Sequence, residues 1–158
     1  MDEERFAQAL FASQEKFYRI AYAYVKNEHD ALDVLSEAAY KGLKSLKSLK
    51  NPEYFDTWMT RIVLNAAADL IRRNSRVVHL EEETWEAIPV PQNGLALEDS
   101  LDIFQALDLL SAAERSCVIL RYFENHSFVT ISQILNESES TVKSRLYRAL
   151  NKMRKALQ

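Results

Sequence analysis

Apolar residues recur along this chain at the three-and-four spacing of a helix. They do so near residues 3–26, with a break inside that stretch, near 30–49 and 53–73, and again near 99–110, 112–123, 127–135 and 139–157. No alternation of period two runs long enough for a strand. Only two glycines and three prolines punctuate 158 residues, so few positions adopt positive φ cheaply or interrupt a helix. In "NPEYF", Asn51 precedes a proline and is biased away from the helical region, while Pro52 suits a first helical turn. The pattern predicts an all-α protein.

Two of the prolines and one glycine fall within "PVPQNG", residues 89–94, directly after the acidic run "LEEETWE". Charge divides at the same place. Residues 1–75 carry 11 bases and 11 acids, 76–100 carry 1 and 6, and 101–158 carry 8 and 6, for a formal net charge of -3. This profile predicts two small helical domains, 1–75 and 99–158, joined by a flexible acidic linker, 76–98. A single bundle with one long loop is the alternative, and structureless loops beyond about 12–15 residues are uncommon in compact domains. The net charge does not indicate a purely electrostatic nucleic-acid binder.

The remaining composition excludes more than it suggests. Cys117, the single cysteine, permits no internal disulfide and sits in the apolar run "CVIL", as a buried small hydrophobe would. The opening "MDEERFAQALF" has no cationic leader, and no run of about 18 apolar residues exists. A soluble, cytoplasmic protein without signal peptide or membrane insertion is expected. Two isolated glycines make no phosphate-cradling loop, and His29, His79 and His126 show no partners at metal-ligand spacing. Cys117 with His126 is the only nucleophile and base to pair, without supporting context. No catalytic residue, metal or cofactor is expected.

The last helix carries the chemistry. On a wheel, Val142, Leu146, Ala149, Leu150, Met153 and Leu157 fall within about 100° of arc, the width of a core-facing stripe. The other side holds Ser140, Thr141, Lys143, Ser144, Arg145, Tyr147, Arg148, Asn151, Lys152 and Lys155 without an acid. Cations near a helix C-terminus complement the macrodipole, but Lys143, Arg145 and Arg148 lie in the first half, where the dipole disfavours them. Upstream, "FVTISQIL" makes a short amphipathic helix and "NES" a tight turn, in which Asn136 tolerates the left-handed conformation. Ser138 or Ser140 caps the next helix. This is a helix-turn-helix, whose second helix fits the major groove of DNA.

The C-terminal stretch "LSAAERSCVILRYFENHSFVTISQILNESESTVKSRLYRALNKMRKAL" resembles the promoter -35 binding region of the extracytoplasmic-function (ECF) sigma factors of bacterial RNA polymerase. The resemblance implies -35 DNA contacts from Ser140, Thr141, Lys143, Ser144, Arg145, Tyr147 and Arg148. A helix-turn-helix alone would not separate this family from response-regulator output domains, so the N-terminal half decides.

There, "DTWMTRIVLNAAADLIRR" carries an apolar stripe of Met59, Val63, Ala66 and Leu70. Beside it run Trp58, Ile62, Asn65, Asp69 and Arg72. An Asp69–Arg73 pair at i, i+4 accounts for charges on such a helix, but not for Trp58 and Asn65. Rings, amides and cations side by side suit single-stranded bases. The order Phe55, Trp58, Met59, Arg61, Ile62, Asn65, Asp69, Arg72 and Arg73 is similar to the -10 recognition segment of the same family. That implies -10 contacts from Trp58, Arg61, Asn65, Asp69, Arg72 and Arg73, and from Lys50, Asn51 and Tyr54 in the loop that takes in a flipped base.

In "DALDVLSEAAYKGLKSLKSLK" the wheel sends Leu32, Leu35, Ala39, Leu43 and Leu46 to the core and exposes Asp33, Glu37, Tyr40 and Lys44. The family's matching helix docks on the β′ coiled coil of core polymerase, which implies Asp33, Ser36, Glu37 and Tyr40 as contacts. The family usually has Gln where this chain has Ser36, and a bulky aromatic near Ala39. Lys41, Lys44, Lys47 and Lys50 read equally as a solvated helix end or as phosphate contacts. The implied partners are core polymerase through β′ and β, promoter DNA, and an anti-sigma factor, often membrane-anchored. A DNA-binding regulator acting without polymerase is the rival reading, and an enzyme the more distant one.

Overall fold

The computed structural model describes the backbone of residues 1–74 and 100–157 and the side chains of 1–74 and 103–156. The predicted linker 76–98 lies outside the described residues, as do His79 and the side chain of Leu157. The chain divides into two compact units, Met1–Val77 and Val78–Gln158. Every described element is helical; no strand occurs among the described residues. None of the described helices is long and apolar enough to cross a membrane.

The first unit holds α1 (Glu3–Ala12), α2 (Gln14–Val25), α3 (Glu28–Lys44) and α4 (Phe55–Asn74). The predicted break inside 3–26 falls at Ser13. Asp2 starts α1 by accepting from the Arg5 N–H at 2.8 Å, and Asn27 starts α3 by accepting from the Asp30 N–H at 2.8 Å. Each satisfies one of the donors that a helix start leaves over. Single 3-10 turns, Leu46–Ser48 and Pro52–Tyr54, carry the chain from α3 to α4. Asn51 takes the extended backbone expected before proline and caps the second turn, its Oδ1 accepting from the Glu53 N–H at 3.0 Å. Phe17, Ile20, Tyr24, Val34, Met59 and Val63 form the core of α2, α3 and α4, and α1 adds Phe6.

The wheel for α3 is wrong by about one residue. Leu32 and Leu43, expected in the core, are 50% and 43% exposed, Leu35 and Ala39 are half-buried, and the buried face is Ala31, Val34, Ala38 and Gly42. Only Leu46 is buried as expected. The cause is close approach: a Cβ on Gly42 would sit 3.0 Å from Phe6 Cζ and 3.1 Å from Met59 Sδ. Small residues let α3 pack against its neighbours, and the leucines turn outward. Leu35 and Leu43 line an apolar groove of about 680 Å³ between α1 and α3, with Phe6, Leu10 and the exposed Phe11.

The second unit holds α5 (Ser100–Ala106), α6 (Ala112–Val118), α7 (Phe128–Leu135) and α8 (Glu139–Leu157). A reciprocal cap opens α6: the Glu114 N–H donates to Ser111 Oγ at 3.2 Å and the Ser111 N–H to Glu114 Oε1 at 3.0 Å. The helix then widens through a π turn, Ile119–Phe123. Asn136 closes α7 in the left-handed conformation, φ 57°, as expected of this turn. Leu107, Val118, Ile119, Leu120, Ile131, Val142, Leu146 and Met153 make the core, and Cys117 is wholly buried among them.

Asn151 and Lys152, expected on the free side of α8, are buried at 2% and 7% exposure. The last third of the helix is enclosed by α5 and α6 as well as by its aliphatic side, so Ala149 to Met153 are buried consecutively. The first half of α8 keeps an open face, and beyond the buried stretch Lys155 is exposed as expected.

Candidate nucleic-acid interface

Ser138, rather than Ser140, caps α8: its Oγ accepts from the Thr141 N–H at 3.1 Å and donates to Thr141 Oγ1 at 2.9 Å. Three residues of turn thus separate α7 from α8. Over the first turns of α8, Ser140, Lys143, Ser144, Tyr147 and Arg148 are exposed and Thr141 is half-buried. Val142, Leu146 and Ala149 point inward. The predicted face is therefore assembled on one side of one helix.

Arg145 behaves differently. Its guanidinium forks onto both carboxylate oxygens of Glu137, in the turn that precedes the helix. Such bidentate pairs are strong and directional. Glu137 is a residue the sequence reading left out; it stands eight positions before Arg145 and two before the start of α8. Beneath them, burial pushes the Cys117 thiol up to about 11, Arg145 pulling the other way. The thiol is thus neutral and shielded, which suits a core residue rather than a nucleophile.

Among the described residues, no carboxylate meets Lys143 or Arg148. Lys143 Nζ lies 5.4 Å from the centroid of the Phe128 ring, within cation–π range. Lys152, by contrast, reaches Glu114 Oε1 at 2.8 Å in a pair whose two side chains are 6% and 5% exposed. That pair fastens α8 to the start of α6. The cationic front of α8 is left open while its far end is clamped.

In the first unit, Trp58 is built into the fold. Its ring packs edge-on to Phe6 at 6.3 Å and tilted to Phe55 at 6.2 Å, and its Nε1–H donates to Ser48 Oγ at 3.1 Å. The bond ties α4 to the first 3-10 turn and so helps to shape the following loop, where Lys50, Asn51 and Tyr54 are all exposed. Asn65, Arg72 and Arg73 are exposed too, and Arg61 is half-buried.

Asp69 does not make the i, i+4 pair with Arg73 that a plain amphipathic helix would offer. It accepts from Arg72 Nη1 at 3.0 Å, at i, i+3, and from Lys41 Nζ at 3.3 Å across from α3. Lys41 also lies 3.6 Å from Glu37. A polar cleft of about 640 Å³ between α3 and α4 brings Glu37, Tyr40 and Lys41 together with Asn65, Asp69 and Arg72. A second hollow, about 330 Å³, gathers Asp33, Ser36, Glu37 and Arg73. The residues implied for polymerase and for the -10 strand are therefore neighbours, joined through Lys41. Lys44 lies 5.3 Å from the Tyr40 ring.

His29 is the remaining correction. Its Nε2 lies 3.5 Å from Asp33 Oδ2, and with Asp30 it forms a cluster whose ligand atoms fall within 4.8 Å of one another. The cluster lies along the first turns of α3, where carboxylates are favoured by the helix dipole.

Residues 10–77 match Sigma-70 region 2, and residues 106–155 match Sigma-70, region 4. The chain is 37% identical over 141 residues to the RNA polymerase sigma factor SigV of Bacillus subtilis strain 168, covering 89% of this chain and 84% of that protein. It is 28% identical over 169 residues to the ECF RNA polymerase sigma factor SigW of the same organism, covering 99% and 90%. The fold is also that of the sigma factor RpoE in complex with the anti-sigma factor NepR from Bartonella quintana, with a TM-score of 0.68 and 23% identity over 98% of this chain and 97% of that one. Region 2 followed by region 4 defines a sigma-70-type transcription initiation factor. Within that class, the chain belongs to the extracytoplasmic-function sigma factors of RNA polymerase.

Proposed function

We propose that this sigma factor divides promoter recognition between its two units. α8 enters the -35 major groove, with Lys143 and Arg148 on phosphates or guanine edges and Ser140, Thr141, Ser144 and Tyr147 on backbone oxygens. Arg145 acts from behind, through its fork to Glu137, by fixing the turn that aims the helix. In the first unit, the loop at residues 50–54 and the exposed face of α4 take the melted -10 strand. Lys50, Asn51, Tyr54, Arg61, Asn65, Arg72 and Arg73 face the strand, Trp58 shapes the loop, and Asp69 restrains the neighbouring cations. Asp33, Ser36, Glu37 and Tyr40 on α3 dock on the β′ coiled coil of core polymerase. The domains run 1–75 and 99–158, with 76–98 as linker.

The factor works in the cytoplasm and catalyses nothing itself. Its second partner is an anti-sigma protein, membrane-anchored as in many family members. Two proteins of similar fold support this: RpoE in complex with NepR, and CnrH in complex with the cytosolic domain of CnrY.

The observation that carries the reading is the front of α8, whose cations Lys143 and Arg148 meet no described carboxylate, on a helix clamped at its far end by Glu114 and Lys152. The test is promoter binding and run-off transcription with reconstituted holoenzyme. Arg148→Ala is expected to cost roughly 1–3 kcal/mol of promoter affinity if it reads a base, and less if it touches phosphate. Its folding should stay within about 0.5 kcal/mol of the parent, as for exposed positions generally. Undiminished transcription, or equally tight binding by the protein without polymerase, would count against the assignment.

A further inference from the structure

The lysine at the front of α8 is held by a ring that belongs to α7. Phe128 opens α7 and is half-buried. Two cations converge on it: Arg121 with Cζ 4.4 Å from the ring centroid, and Lys143 with Nζ 5.4 Å from it. Arg121 comes from the π turn that ends α6, and its position is fixed independently, since Nη1 donates to the His126 carbonyl at 3.0 Å. The His126 N–H in turn donates to the Leu120 carbonyl at 3.0 Å, and Asn125 takes a left-handed conformation, φ 58°, to let the chain fold back. Ser127 then caps α7, its Oγ accepting from the Thr130 N–H at 3.1 Å. The ring is thus presented from a short turn held by hydrogen bonds at both ends.

Lys143 has reason to need it. It stands in the N-terminal half of α8, away from the end where the helix dipole favours a cation, and a lysine carries a long stem with much rotamer freedom to lose on binding. A ring face within about 6 Å attracts the ammonium without neutralising it, whereas a carboxylate would compete with DNA for its charge.

We propose that Phe128, itself braced by Arg121, is a positioning residue that pre-orients Lys143 for a -35 phosphate. The inference rests on the DNA role proposed above for α8. It assigns to the first helix of the motif a part beyond packing, one that acts through another residue rather than by touching the duplex.

The test uses holoenzyme and a duplex selected from a randomised pool by the wild-type holoenzyme, titrated with salt. Lys143→Ala should lower the slope of log K against log salt by about one, the loss of one phosphate contact. Phe128→Leu should lower the slope by part of that amount, Phe128→Tyr should restore it, and Phe128→Leu with Lys143→Ala should do no more than Lys143→Ala alone. If Phe128 only packs, Phe128→Leu weakens binding equally at every salt concentration and adds to Lys143→Ala, which overturns the inference. A second readout needs no DNA. Dimethylated Lys143 in the full chain should give an upfield-shifted NMR resonance from the Phe128 ring current, and Phe128→Leu should abolish it. An unshifted resonance in the parent overturns the positioning role whatever the DNA result. A shifted resonance together with an unchanged slope in Lys143→Ala refutes instead the DNA role on which the proposal rests.

Discussion

The two units handle paired charge in opposite ways. In the first, ion pairs lie on the face assigned to the -10 strand: Asp69 holds Arg72 and Lys41, with side chains between 39% and 66% exposed. In the second, pairs lie behind the face assigned to the -35 element: Glu114 with Lys152 is buried, Glu137 with Arg145 is half-buried, and the front cations Lys143 and Arg148 meet no described carboxylate. Exposed pairs contribute little to stability and are screened by salt. A buried pair fixes geometry instead, because breaking it leaves a charge without its partner in a medium that solvates it poorly. The first unit thus tempers its surface with charge, while the second uses charge as a bolt.

The largest expected effect comes from drawing that bolt. Lys152→Ala leaves the Glu114 carboxylate buried without its lysine, the Ser111 N–H still donating to it, and should destabilise the second unit by about 3–5 kcal/mol. In urea unfolding of the full chain, followed by probes in each unit, the transition of the second should move and that of the first should stay. Lys152→Met combined with Glu114→Gln should recover most of the loss, because the pair is then removed together while the Ser111 cap keeps a partner. Equal shifts in both transitions would break the contrast between the units.

A pH titration sharpens the contrast next. Burial holds the Cys117 thiol neutral, raising its pKa from 9.0 to about 11. The folded value is the higher one, so the unfolded chain sheds this proton first as pH rises. The associated stability is complete below about pH 9 and is lost between there and about pH 11, some 2–3 kcal/mol in all. Stability against pH should therefore fall more steeply over that window in the parent than in Cys117→Ala. Identical slopes would show that the thiol is not as shielded as its packing implies.

These features differ in how far the sequence disclosed them. Val142, Leu146, Ala149 and Met153 were legible because a helical period is written within one helix. Lys152 was not, because Glu114 lies 38 residues away and only the fold makes them neighbours. On α3 the reading failed for another reason. It ranked leucine above alanine, whereas Gly42 packs too closely on Phe6 and Met59 for a larger side chain, Ala31 and Ala38 are buried on the same face, and Leu32 and Leu43 turn outward. Asp69 was found and its partner missed, since Lys41 is on another helix. Trp58 was read as a displayed ring, and nothing in one helix announces a bond to Ser48.

Trp58 offers the next smaller test, within the first unit. Trp58→Ala should cost about 2 kcal/mol, less than a fully buried aromatic because the ring is only half-covered. Trp58→Phe keeps the contacts with Phe6 and Phe55 and should cost about 1 kcal/mol, the net value of the bond to Ser48. If Trp58 acts by shaping the loop, Trp58→Phe should lower -10 strand binding by holoenzyme more than its small cost in stability suggests. If the ring itself stacks on a base, Trp58→Phe should bind almost as the parent does.

The smallest effect on stability concerns Asp69, and it addresses the purpose of the exposed pairs. Asp69→Asn should change folding by under about 0.5 kcal/mol, because both partners are solvated and screened. It adds one net positive charge to a face where Lys41 and Arg72 then lose this carboxylate, Lys41 keeping Glu37 at 3.6 Å. Holoenzyme carrying it should bind arbitrary single-stranded DNA a few-fold more tightly at low salt, with a steeper salt dependence, and converge on the parent at high salt. Specific -10 strands should gain no more than arbitrary ones, so that discrimination falls. A selective loss on the -10 strand would instead make Asp69 a direct contact to a base. The first unit would then use its carboxylate to read sequence, and the contrast with the bolted charges of the second would lie in location alone.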